Sequence, residues 1–79
     1  MTDAEVYSWI LLSISHGGGT RTEIAQVADG INHAVPTEKE MNASLRWLQD
    51  NRLVCMKDSR FTLTESGAAI LSKIPALQC

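Results

Sequence analysis

The side chains of this 79-residue chain that could carry chemistry are two histidines, two cysteines, scattered serines and a set of basic residues. A metal centre needs three or four ligands in plausible geometry. His33 and Cys55 stand isolated in the sequence, and Cys55 and Cys79 have no C-x-x-C spacing, so no metal is expected. His16 falls near the end of a helical pattern, where it suits the negative end of the helix dipole. Gly17-Gly18-Gly19 lacks both the following Lys-Ser/Thr and the preceding buried strand of a phosphate-cradling loop. No Ser-His-Asp arrangement is readable. The chain therefore reads as neither an enzyme nor a cofactor protein.

The basic residues are the more informative set. Five of the seven Lys/Arg fall between positions 39 and 60, namely Lys39, Arg46, Arg52, Lys57 and Arg60. Glu40, Asp50 and Asp58 lie among them, and the net charge is -2. That balance excludes a nucleic-acid binder working by bulk positive charge alone. The composition, 44% hydrophobic and 20% charged, is that of a globular domain. One domain, 1–79, is the sensible count, with a small core, because a chain this short buries only about 60–65% of its unfolded surface. Trp9-Ile10-Leu11-Leu12-Ser13-Ile14 is preceded by acids rather than by Lys/Arg, and it is far shorter than the ~20 residues a membrane span needs. A cytoplasmic protein with free thiols and no membrane partner is expected. Asn42-Ala43-Ser44 fits a glycosylation sequon but carries no weight without a secretion signal.

These residues must be positioned by five or six short elements. Val6, Tyr7, Ile10, Leu11 and Ile14 recur at helical spacing and predict a first helix over 3–15. Trp9 and Leu12 fall on another face of it, and an apolar second face calls for a second contact: the C-terminal helix or another subunit. The triple glycine ends this helix. Thr20-Arg21-Thr22-Glu23 is a capping box opening a second helix, with Ile24, Val27, Ala28 and Ile31 inward and an end near Asn32-His33. Thr37-Glu38-Lys39-Glu40 is another capping box, opening a third helix with Met41, Leu45 and Leu48 inward. Leu53–Met56 and Arg60–Leu63 read as strands of a hairpin around the turn residues Lys57-Asp58-Ser59. Thr64-Glu65-Ser66-Gly67 opens a fourth helix, with Ile70, Leu71 and Ile74 inward; Pro75 stops it, and 76–79 form a tail. The fold class is thus mainly α with a small β-hairpin, an α+β order of helix-helix-helix-strand-strand-helix.

Leu45-Arg46-Trp47-Leu48-Gln49-Asp50-Asn51-Arg52-Leu53-Val54, followed by Phe61-Thr62-Leu63-Thr64-Glu65-Ser66-Gly67, resembles the winged helix-turn-helix superfamily of MarR- and PadR-type regulators. There the third helix runs Leu-x-x-Leu into Gly-Leu-Val, and the second wing strand runs into Leu-Thr-x-x-Gly. The resemblance covers nearly the whole chain. Arg52 stands where the family usually has Gly, so the tight turn must be made differently, with Asn51 as the candidate for the left-handed conformation. The connection before Pro36 also looks longer than the usual helix-turn-helix turn.

The resemblance implies a small DNA-binding transcriptional regulator with double-stranded DNA as its partner. The third helix (37–52) would lie in the major groove and the wing (53–63) on the backbone. On that reading Lys39, Asn42 and Arg46 face bases, Asn42 suiting an adenine edge and Arg46 a guanine edge. Arg21, Lys57 and Arg60 would contact phosphates. The alternative is a winged helix used as a protein-interaction module or homodimer that does not bind DNA. Its residues would be Trp9, Leu12 and Trp47, since large aromatics are enriched at interfaces, although Trp47 suits the edge of the core beside the wing equally well.

Overall fold

The computed structural model describes residues 2–73. The elements are α1 (Asp3–Ser15), α2 (Arg21–Asn32), α3 (Glu38–Asp50), β1 (Val54–Lys57), β2 (Arg60–Leu63) and α4 (Glu65–Ser72). This is an α+β, winged-helix-like layout, with three helices, an antiparallel hairpin and a closing helix. No described helix is long and apolar enough to cross a membrane. Ile74, Pro75 and the tail at 76–79 lie outside the described residues.

Helix starts follow from local chemistry. Thr2, Thr20 and Thr37 each accept the backbone N–H of a glutamate three residues on, and that glutamate accepts the threonine N–H in return. Thr64 caps α4 by accepting the N–H of Gly67 at 3.1 Å. The cap at Thr2 was legible in Thr2-Asp3-Ala4-Glu5, which has the same pattern as the other two.

α1 is the spine of the molecule. It touches α2, α3, α4 and β2, so it is apolar on more than one side because it is enclosed. Val6, Trp9, Ile10, Leu11 and Ile14 are all buried. This corrects the expectation for Trp9: it is 3% exposed, and its indole Nε1 donates to the Ala28 carbonyl of α2 at 3.0 Å. The face of α1 that carries Trp9 packs on α2, and α1 also meets the closing helix α4. Leu12 is half-buried. Ile24 and Ala28 complete the α2 side, while Ile31 packs against the core from its edge.

The hairpin pairs Val54 with Leu63, Cys55 with Thr62, Met56 with Phe61 and Lys57 with Arg60. β1 starts one residue later than the periodicity suggests. Leu53 belongs to the turn: its N–H donates to Leu48 at 2.9 Å and its carbonyl accepts from Thr64 at 3.1 Å. Asp58 and Ser59 both have positive φ (52° and 64°), as the tightest two-residue hairpin loops require.

The turn after α3 is made by Arg52, not Asn51. Asn51 has φ -93°, whereas Arg52 sits at φ 58°. The side chain at the usual glycine position therefore takes the left-handed conformation itself, at a cost of about 1–2 kcal/mol. Gly67 is required for another reason. A Cβ there would lie 2.0 Å from the Leu53 carbonyl oxygen. The Leu-Thr-x-x-Gly pattern thus lets α4 sit directly on this turn. Ile70, expected inward, is 37% exposed, and Leu71 packs against the core edge instead.

Candidate nucleic-acid interface

α3 has two clear faces. Met41, Ser44, Leu45 and Leu48 are buried. Lys39, Asn42, Ala43, Arg46 and Asp50 are exposed. Lys39, Asn42 and Arg46 follow one another at three- and four-residue spacing, so they share one stripe. The stripe rises about 10 Å along the helix, at ~1.5 Å per residue. A capping box starts this helix and the Arg52 turn ends it, so the stripe stands on a rigid element.

The six predicted basic and amide residues divide into two groups. Arg21 opens α2, and its guanidinium Nη2 donates to Asn42 Oδ1; the same nitrogen lies 3.7 Å from Glu38 Oε1. Arg60 donates to Glu23 Oε1 at 2.9 Å and lies against Gly19, where a Cβ would come within 2.7 Å of its guanidinium. Lys39, Arg46 and Lys57 make no ion pair among the described residues, where the two pairs are Arg21–Glu38 and Arg60–Glu23. The structure thus brings Arg21 to the α3 stripe and ties Arg60, next to the hairpin turn, to α2.

Two contacts tie the start of β2, next to the hairpin turn, to the α1–α2 connection and α2. The Phe61 N–H donates to the Gly19 carbonyl at 2.7 Å, so the triple glycine is an anchor for β2 as well as a helix stop. Gly18 is equally constrained: a Cβ would meet Ile24 Cα and the Ser13 carbonyl, each at 2.9 Å. Arg60 then joins β2 to α2 through Glu23. The Glu23 carboxyl is held below its ordinary value, mainly because it accepts the Thr20 backbone N–H; partial burial opposes this, and the Arg60 charge reinforces it. Phe61 and Glu23 are 42 and 37 residues from Gly19 and Arg60 respectively, and no sequence signal links positions so far apart.

On the other side of α3 the ring of Trp47 stacks on Tyr7, with centroids 4.8 Å apart and planes 14° from parallel. Trp47 is 41% exposed, so it is both an edge of the core and a surface residue. With Leu11, Leu48, Leu53 and Ile70 the pair lines an apolar groove of about 460 Å³. No group of three or more His, Cys, Asp or Glu that could hold a metal occurs among the described residues. Cys55 is exposed on the wing, its Sγ 3.3 Å from Thr62 Oγ1.

No family model, curated protein or solved structure matches this chain.

Proposed function

We propose that this chain is a winged-helix DNA-binding protein acting in transcription regulation in the cytoplasm, with α3 in the major groove and the hairpin on the backbone. The observation that carries this reading is the exposed stripe of Lys39, Asn42 and Arg46, whose two cations make no ion pair among the described residues, on a helix whose opposite face, Met41, Ser44, Leu45 and Leu48, is buried. A cation already spent on a carboxylate has less to offer a phosphate; these two are unspent. Lys57, at the wing tip, adds a third. Affinity of this kind comes from release of counterions from the duplex and falls steeply with salt. The test is a nuclear magnetic resonance titration of the labelled protein with a random duplex. Shifts confined to residues 38–50 and 54–60 support the reading. Unchanged amides there at low salt would overturn it.

A second reading is favoured by a separate observation, the apolar groove rimmed by Trp47 and Ile70. On this reading the chain is a protein-interaction module or homodimer. Its partner would perturb Tyr7 and Trp47, and its affinity would be little affected by salt.

A further inference from the structure

We infer that α3 selects guanine over adenine opposite Asn42, and that Arg21 sets this choice. The inference rests on the DNA-binding reading above and gives it a sequence preference.

A guanidinium has five donors and no acceptor. An amide beside it can only turn its oxygen inward, and Asn42 does so: Oδ1 accepts from Arg21 Nη2. The amide orientation is therefore fixed by chemistry, with its NH₂ group turned away from Arg21. Adenine presents N7 as acceptor and N6 as donor, and asparagine reads it bidentately by using both amide atoms. Here the oxygen is already engaged by a cation. It keeps a second lone pair, but an adenine amino group approaching it would meet the N–H groups of Arg21. The NH₂ group remains free to donate.

The neighbours on the stripe have the same polarity. Lys39 carries three donors and Arg46 five, and neither has an acceptor. Of the acceptors on this side of α3, Glu38 lies one turn before Asn42 with its carboxylate 3.7 Å from Arg21 Nη2, and Gln49 and Asp50 lie seven and eight residues beyond, about 10–12 Å along the helix axis. At Asn42 itself the group left to face a base is the NH₂ donor. Guanine alone offers two acceptors, O6 and N7, in the major groove; thymine offers one beside a methyl group, and cytosine offers a donor. Free asparagine favours adenine; asparagine held by Arg21 favours guanine.

The test uses the full chain, reduced, and a library of random duplexes at about 50 mM salt. The bound fraction is enriched, and the best duplex is compared with versions carrying adenine at each guanine in turn. One replacement is expected to weaken binding about tenfold. In Asn42→Ala that replacement should cost nothing. In Arg21→Ala the amide is released, and the preference should fall to less than about threefold while binding to all duplexes weakens alike. Both side chains are exposed, and the ratio of two duplexes is insensitive to a general loss of affinity. A contact to adenine that Asn42→Ala abolishes would overturn the inference and leave the DNA-binding reading intact. So would a guanine preference indifferent to Asn42. Failure of any duplex to bind would overturn both.

Discussion

The hairpin and helix α3 carry the same kinds of basic side chain and hold them differently. At the start of β2, beside the hairpin turn, Arg60 is bound to Glu23 and covers Gly19. Directly across the strand pair, Lys57 has no ion-pair partner among the described residues. On α3, Lys39 and Arg46 are free in the same sense, and Arg21 reaches over to hold Asn42. The hairpin spends its arginine on being attached, because a two-stranded ribbon is marginal alone. α3 needs no such tie, since Met41, Leu45 and Leu48 anchor it from beneath. Basic residues that count equally in a charge sum thus serve different ends.

The largest effect expected from attacking the wing root is that of Gly67→Ala. The added methyl would meet a backbone carbonyl, which cannot step aside, so destabilisation should exceed about 3 kcal/mol in a denaturant titration. Gly19→Ala is the sharpening control. Its methyl meets the movable end of Arg60, so the fold should survive with the Arg60–Glu23 pair disturbed. If both changes proved equally mild, the docking of α4 on Leu53 would be wrongly described.

On the α3 side, Arg46→Ala should weaken specific DNA binding by about 1–3 kcal/mol and leave the melting temperature unchanged, because the side chain is exposed. Arg52→Gly should act in the opposite direction. Relief of the left-handed backbone exceeds the extra chain entropy of glycine, so a stabilisation of up to about 1 kcal/mol is expected in the same titration.

The smallest effect belongs to pH. Glu23 has a folded-state pKa below its ordinary value of 4.5, so its contribution is complete above that pH and is lost as pH falls through the lowered value. Glu5 behaves alike through Thr2. The melting temperature should therefore decline below about pH 4.5, and Glu23→Gln should flatten part of that decline. An unchanged acid limb in the variant would deny Glu23 its role in holding β2.

The local parts of this fold were legible in the chain. The bounds of α1, the capping boxes at Thr20 and Thr37 and the hairpin turn follow from neighbours within a few residues. What was not legible depends on distant partners. Trp9 looked like a surface residue because the sequence shows that α1 has two apolar faces but not that α2 covers the second. The triple glycine looked like a helix stop because Phe61 lies far from it in sequence. The Arg60–Glu23 and Arg21–Asn42 contacts join positions 37 and 21 residues apart, which no local pattern signals. The positive φ of Arg52 had a signal, the Gly that the resembled Leu-x-x-Leu-to-Gly-Leu-Val pattern has at this position, but Asn51 offered the less strained left-handed residue. The Arg52 turn is held from the start of α4, where Thr64 donates its hydroxyl to the Arg52 carbonyl and its N–H to the Leu53 carbonyl.

The most direct test of the central claim is the salt dependence of duplex binding by fluorescence anisotropy, between about 50 and 200 mM, for the parent, Arg46→Ala and Arg60→Ala. Binding that weakens steeply with salt is predicted, with a log–log slope of roughly -2 to -4. Arg46→Ala should make that slope shallower by about one, while Arg60→Ala leaves it unchanged. Affinity indifferent to salt, or a slope that responds to Arg60 and not to Arg46, would contradict the assignment of α3 as the DNA-binding surface.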